Sequence, residues 1–317
     1  MYGTVLQCLR AAQLDFPVMV RRRFKQLSGD RLSADRVARL RSDNPERALM
    51  LDLVNGMRVH LPVSFVPNGK QPRTPLRSTY ELVASAVNKM LGTLIEQRLA
   101  FLLSLSLAQE HVPNLHICKA HWTTKKGKAS GRPLGDLSFV DGTPLNTDET
   151  AEAVNLYYGQ ILHPTIEDIA VMVQEFWVEA KRKNPSLRYA DLRLWKMDLE
   201  GAYTLLSFRP EDVGLFAMLL TGDLVYFQLA GIFGWSGTPA AFQVVTRAIS
   251  WEPRHALKSR TVMYVDDIIG IGFADDIASD LSITRGICTS LLGSGAVADD
   301  KTGKRAANRC DRLRHRS

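Results

Sequence analysis

The fold is decided by residues 261–273, which read TVMYVDDIIGIGF. Two adjacent aspartates lie between two runs of apolar, β-forming residues, and this pattern predicts a β-hairpin with Asp266 and Asp267 at its turn. Neighbouring carboxylates repel each other unless a positive charge lies between them, and hard oxygen ligands favour Mg²⁺ or Mn²⁺. A solvated turn explains the two aspartates equally well, because Asp is common in turns.

A third carboxylate lies upstream, at the end of another predicted strand. Residues 192–197 read LRLWKM, Asp198 follows, and Gly201 marks a turn. A strand-end aspartate beside the hairpin pair would complete a cluster of three carboxylates, which can hold two metal ions about 3.5–4 Å apart, as in phosphoryl-transfer enzymes. Taken alone, Asp198 is also explained as a helix N-cap.

The composition is that of a globular protein. Of the 317 residues 45% are hydrophobic and 23% charged, which excludes a disordered or collagen-like chain. The net charge is +7, but residues 301–317 alone hold seven Lys or Arg and one Asp, so overall basicity is weak evidence for nucleic-acid binding. The four cysteines form no C-x-x-C pair and the N-terminus lacks the pattern of a signal peptide. We therefore expect an intracellular protein, cytoplasmic or nuclear.

Residues 213–235 are apolar over a length that could span a membrane. A Thr-Gly-Asp sequence at 221–223 interrupts the run, and Asp223 would be costly in lipid. The segment therefore predicts two strands joined by a turn, and we expect no membrane partner.

Local signals predict three further elements. A capping box begins a helix at Ser78, which is predicted to run into the apolar segment 99–107. A second helix is predicted over 165–183, with Thr165 as a cap. Between them, residues 119–132 read KAHWTTKKGKASGR and contain five Lys or Arg but no acid, which predicts a hairpin with a positive tip.

These motifs, in this order, resemble those of reverse transcriptases, the RNA-directed DNA polymerases of eukaryotic retroelements. Residues 198–203, DLEGAY, resemble the first palm motif, and residues 233–243, FGWSGTPAAFQ, resemble the Gly-rich loop and helix beside the nucleotide. Residues 264–267, YVDD, resemble the Y-x-D-D motif that marks the family. Within it, the sequence is similar to retrotransposons of the LTR or tyrosine-recombinase type.

The resemblance implies an α/β (α+β) fold, a polymerase palm-and-fingers core with an antiparallel palm sheet and no thumb. It implies an N-terminal linker or partial region at 1–75, fingers and supporting helices at 76–190 and a palm at 191–303. Residues 304–317 are basic and lack apolar periodicity, which predicts a disordered tail. Because the family continues into a thumb where this sequence ends, we expect a C-terminally truncated copy. A second chain is one candidate source of thumb or RNase H functions.

The resemblance also implies a metal site and a chemistry. Asp198, Asp266 and Asp267, together with the backbone carbonyl of Leu199, would bind two Mg²⁺ or Mn²⁺ ions. The three aspartates would be catalytic, and Lys301 would act as a general acid for pyrophosphate. The implied partners are dNTPs and an RNA or DNA template with its primer.

The remaining implied roles concern nucleotide and template. The triphosphate would be held by cations, the ribose 2′-OH would be excluded by an aromatic ring, and a loop and helix would shape the pocket. The nucleotide-binding residues so assigned are Lys125, Lys126, Arg132, Tyr203, Gly234 and Gln243. Those assigned to template or primer are Trp235, Gly237, Pro239 and Tyr264.

Three alternatives stay open on the sequence. The chain would be a catalytically inactive, nucleic-acid-binding remnant if the missing thumb is essential. An RNA-templated RNA polymerase is disfavoured, because such enzymes more often have Gly-Asp-Asp where this sequence has Tyr-Val-Asp-Asp at 264–267. A zinc site at His111, His116, Cys118 and His121 has suitable residue types but an unusual spacing.

Overall fold

The computed structural model describes residues 2–27, 31–69, 85, 89–124, 131–138, 144–220 and 223–298. Helices and strands are mixed along the chain and most strand pairs are antiparallel, which confirms the predicted α/β (α+β) class. The chain forms two compact units, each built from three segments. The first unit comprises Met1–Gly29, Asn55–Gln160 and Tyr203–Ala241, and the second comprises Asp30–Val54, Ile161–Ala202 and Phe242–Ser317. The predicted division into consecutive linker, fingers, palm and tail stays a prediction.

The helices, in chain order, are α1 (Tyr2–Ala11), α2 (Phe16–Leu27), α3 (Ala34–Val37), α4 (Arg47–Val54), α5 (Leu105–His111), α6 (Asp148–Tyr158), α7 (Ile166–Lys183), α8 (Gly237–Trp251) and α9 (Ala274–Leu292). The strands are β1 (Ala100–Ser104), β2 (Ile117–Thr124), β3 (Gly131–Asp136), β4 (Leu192–Asp198), β5 (Ala217–Leu219), β6 (Leu224–Gln228), β7 (Arg260–Tyr264) and β8 (Asp267–Phe273). Short 3₁₀ turns lie at Tyr189–Asp191, Ala202–Leu205, Val213–Phe216, Glu252–His255 and Ser294–Ala296.

A five-stranded sheet in the order β1-β6-β5-β2-β3 organises the first unit. Strands β2 and β3 pair antiparallel from Lys119 opposite Asp136 to Thr124 opposite Gly131, so the basic segment is a hairpin as predicted. Its tip, residues 125–130, lies outside the described residues. Strands β5 and β6 also pair antiparallel, which confirms the two strands predicted around Asp223. No helix in the described part of the chain is long and apolar enough to cross a bilayer.

A three-stranded antiparallel sheet in the order β4-β8-β7 organises the second unit. Its strands are the two predicted around the aspartate pair and the one predicted before Asp198. One face packs on α7 through a cluster centred on Phe176, Leu192 and Ile271. Since side chains alternate between faces, Lys196 and Asp198 follow Leu192 along that same face.

The two predicted helices differ in outcome. Helix α7 is capped by Thr165, whose side chain accepts from the N–H of Asp168, and it ends just before Pro185, as predicted. The predicted extension of the Ser78 helix into 99–107 is wrong, because β1 occupies Ala100–Ser104 and Ser104 then caps α5 as a separate helix. An apolar run of this length has no periodicity that separates a buried strand from a helix. The predicted helix start at Ser78 lies outside the described residues.

Candidate active site

Strand register brings two of the predicted aspartates face to face in the second unit. Asp198, the last residue of β4, lies directly opposite Asp267, the first residue of β8. Tyr264, at the end of β7, is also paired with Asp267, so Val265 and Asp266 form the hairpin turn. Val265 has φ 53°, a left-handed conformation that is strained for a β-branched residue. The three carboxylate-bearing residues therefore lie at one end of the sheet.

Backbone hydrogen bonds fix the chain on both sides of Asp198. The N–H of Leu199 donates to the carbonyl oxygen of Asp266 at 2.8 Å, which ties the strand end to the hairpin turn. The N–H of Ala298 donates to the carbonyl oxygen of Asp198 at 3.0 Å. Leu199 is buried and forms an isolated antiparallel bridge with Val297. The role of the Leu199 carbonyl as a metal ligand stays a prediction.

A lysine contacts the facing carboxylates. The Nζ of Lys196 lies 2.6 Å from Oδ1 of Asp267 and 3.9 Å from Oδ1 of Asp198. Burial raises the pKa of Asp267 above its ordinary value, Asp198 and Asp266 raise it further, and Lys196 opposes them. The carboxylates are thus crowded enough to need a cation, and in this structure the ammonium group supplies it.

The donor set fits a divalent metal in its chemistry. Among the residues that the structure describes, no three His, Cys, Asp or Glu side chains are arranged as a formed metal cluster. The carboxylate oxygens of Asp198 and Asp267 nevertheless share a cation across adjacent strands. Hard carboxylate oxygens are the ligands that Mg²⁺ and Mn²⁺ prefer. The residues therefore fit the ion, provided that Lys196 moves away.

The Gly-rich loop belongs to the first unit, and its residues have packing roles. Gly234 has φ 108°, and a Cβ there would overlap the carbonyl oxygen of Gly135. A Cβ on Gly237 would overlap the Trp235 ring. Trp235 is only 2% exposed and packs on Phe208 and Phe216, with ring centroids at 5.5 and 5.2 Å. Its contact with template or primer stays a prediction.

The other predicted contacts are placed as follows. Gln243 is buried, and its amide accepts from the N–H of Leu162 at 3.2 Å and donates to the Leu162 carbonyl at 2.7 Å.

Tyr203 is half-buried, with its ring 4.9 Å from that of Phe233, in the first unit. Tyr264 is 47% exposed in the second unit. Pro239 lies in the first turn of α8. Their roles toward nucleotide or template stay predictions.

Several predicted cationic contacts fall outside what the structure describes. Lys125, Lys126 and Lys301 lie outside the described residues, and of Arg132 only the backbone, in β3, is described.

Two residues of the alternative zinc site have local partners in the first unit. The Nδ1 of His116 accepts from the N–H of Asn68 at 3.1 Å, and burial lowers the pKa of His116 to about 4. The thiol of buried Cys118 donates to the carbonyl oxygen of Ala217 at 3.2 Å. Both side chains are thereby explained as parts of a packed core.

Sequence reasoning missed Lys196. Its position beside Asp198 was predictable, because the two residues are two positions apart on a predicted strand and therefore share a face. The pairing of Asp198 with Asp267, which brings the second carboxylate within reach, could not be read from the strand alone.

The sequence matches no protein-family model and no curated protein. Among solved structures, the chain is similar to a foamy viral protease-reverse transcriptase, determined in complex with double-stranded DNA. The TM-score is 0.44 at 12% sequence identity, over 83% of this chain and 41% of that one, so the chain spans less than half of that protein's length. The functional argument therefore rests on the site itself.

Proposed function

We propose that the chain catalyses template-directed DNA synthesis by two-metal nucleotidyl transfer, as in reverse transcription of a retroelement. The observation that supports this most directly is the pairing of Asp198 with Asp267 at adjacent strand ends, with Asp266 in the adjoining turn. Carboxylates at the strand ends of a sheet can hold metal ions at fixed positions, which two-metal phosphoryl transfer requires.

In the proposed reaction a primer 3′-OH loses its proton to solvent water, and its oxygen bonds to the α-phosphorus of a dNTP. The bond from that phosphorus to the bridging oxygen breaks, and pyrophosphate leaves. Asp198 and Asp266 would be the main metal ligands, with Asp267 supporting them. The bound ions would lower the pKa of the attacking hydroxyl and neutralise the leaving group. Tyr203 would exclude ribonucleotides by contact with the 2′ position.

The proposed partners are a primed RNA or DNA template and dNTPs. The basic hairpin β2–β3, with Arg132 in β3, would supply cations to phosphate oxygens. Lys301 would give a proton to the leaving pyrophosphate. Binding to the template should weaken steeply with salt, because phosphate contacts release counterions.

Primer extension on an RNA template with dNTPs and Mg²⁺ or Mn²⁺ tests the proposal. Wild type is compared with Asp266→Asn and with Asp275→Asn, a matched change at an exposed position of the same unit. We expect wild type and Asp275→Asn to extend the primer, and Asp266→Asn to lose extension by at least about a hundredfold.

Failure of extension by a folded chain that still binds primer–template would refute the proposal and favour a catalytically inactive, nucleic-acid-binding remnant. Incorporation of rNTPs as readily as dNTPs would instead indicate an RNA-templated RNA polymerase. Extension that survives in Asp266→Asn would show that the aspartate cluster is not the catalytic centre.

A further inference from the structure

Lys196 occupies an unusual position within the carboxylate cluster. It lies on β4, opposite Ile269 of β8, on the face of the sheet that carries Asp198 and Asp267. Its Nζ is 2.6 Å from Oδ1 of Asp267 and 3.9 Å from Oδ1 of Asp198. One ammonium group thus reaches the carboxylates of two adjacent strands.

The contact has the charge pattern of a bound cation. An ammonium group offers three N–H donors and no acceptor, so toward carboxylate oxygens it can act only as a positive centre. Two facing carboxylates at the end of a sheet repel each other without such a centre. The lysine therefore satisfies the need that a divalent ion would satisfy.

The side chain of Lys196 can move out of the carboxylate cluster. Lys196 is 38% exposed at its side chain, whereas Asp198 is 11% exposed. A lysine reaches its partner through a flexible four-carbon stem, so its head can swing into solvent while the buried carboxylate stays fixed. Motion of the lysine is thus the easiest way to open the cluster.

We propose that Lys196 is an internal counter-ion of the metal site, which holds the carboxylates of Asp198 and Asp267 together before a metal binds and is displaced when it does. This inference rests on the proposed function, since it takes the cluster to be the metal site. It makes Lys196 a positioning residue that sets metal affinity: the ammonium competes with the ion, and its removal favours metal binding.

Titration of the full chain with Mn²⁺ at fixed ionic strength tests the inference without requiring catalysis. Binding is measured as the loss of the electron paramagnetic resonance signal of the free ion. Lys196→Met keeps the length of the stem and removes the charge. We expect it to bind Mn²⁺ about three- to tenfold more tightly than wild type, while Lys196→Arg stays near wild type because it keeps the charge. Lys196→Gln gives a second neutral variant if Lys196→Met fails to fold.

Lys258→Met is the matched control. Lys258 makes an ion pair of the same length, 2.6 Å, with Asp276 in the same unit, and its side chain is 73% exposed. We expect Lys258→Met to bind Mn²⁺ as wild type does. In EDTA, Lys196→Met should unfold at a lower temperature than wild type, and Mn²⁺ should raise its melting temperature by more than it raises that of wild type.

The outcomes separate this inference from the proposed function. One outcome is that Mn²⁺ binding is lost in Asp198→Asn and yet is no tighter in the neutral Lys196 variants than in wild type. That result would overturn the inference and leave the metal site supported. Absence of binding in wild type and in all neutral variants would overturn both. Binding that appears only in the neutral variants would support displacement of Lys196 directly.

Discussion

Replacing Gly270 with alanine tests the packing that holds the aspartates in register. Gly270 lies opposite Trp195 in the β4–β8 pair. A Cβ on Gly270 would overlap ring atoms of Trp195 and would lie 2.5 Å from its Nε1, closer than real Cβ contacts come. Trp195 is 1% exposed, and its Nε1 donates to Oγ of Ser259 at 3.2 Å, so the ring cannot move without losing core contacts and a hydrogen bond.

The cost follows from those two losses. Overpacking a closed core costs about 1–3 kcal/mol, and breaking a buried hydrogen bond adds about 1–2 kcal/mol. We therefore expect Gly270→Ala to lower the free energy of unfolding by about 2–5 kcal/mol. Urea unfolding followed by tryptophan fluorescence measures the change, since Trp195 itself reports on the disturbed site.

Gly286→Ala provides the matched control. A Cβ on Gly286 meets nothing within 4 Å, and the residue lies inside α9, so alanine should raise stability there by up to about 1 kcal/mol. Trp195→Phe makes room for the added methyl group, so Gly270→Ala should cost less in that background. A midpoint for Gly270→Ala equal to wild type, or an equal cost in both backgrounds, would refute the packing argument.

Two further predictions concern the first unit. Asp212 accepts from the N–H of Val59, and its burial raises its pKa to about 6. Between about pH 4 and 6 the native state keeps a proton that the unfolded chain has lost. The free energy of unfolding therefore falls as pH rises through this range. Asp212→Asn keeps the hydrogen-bond acceptor and should raise the free energy of unfolding by up to about 3 kcal/mol at pH 7, with no gain below about pH 4. Urea unfolding midpoints measured across this pH range check this. An equal gain at all pH values would contradict the burial argument. Gly234→Ala should cost at least about 2 kcal/mol, because it combines φ 108° with overlap on the Gly135 carbonyl; an unchanged melting temperature would contradict this reading of the loop.

Elements with strong local signals were predictable. The hairpin over 260–273 has β-branched and apolar runs on either side of two adjacent aspartates, and α7 begins with a capping box. Both depend on residues close together in sequence. The strand at Ala100–Ser104 was not predictable, because a short buried run has no distinguishing period and its strand character comes from pairing with β6, more than a hundred residues away.

Side chains of the site were predictable by type but not by environment. The order of motifs placed Asp198, Asp266 and Asp267 in one cluster, and the structure brings the strands that carry them together. Burial depends on contacts distant in sequence, so the sequence did not show that Trp235 is enclosed in a core. The hydrogen bonds between the Gln243 amide and the backbone of Leu162 likewise join residues far apart in sequence, and the nucleotide-binding role of Gln243 stays a prediction.

The aspartate cluster does not hold itself together. A slip of one residue between β4 and β8 would move Asp198 out of register with Asp267 and reverse the face of every side chain in one strand. The carboxylates cannot prevent this, because like charges repel. The slip is opposed by the fit of Trp195 over Gly270 and by the hydrogen bond from Nε1 of Trp195 to Oγ of Ser259. Ser259 is itself held by the buried Asp280 of α9, which accepts from its N–H at 2.8 Å. The geometry of the proposed metal site is therefore imposed by packing several residues away, on side chains that take no part in its chemistry.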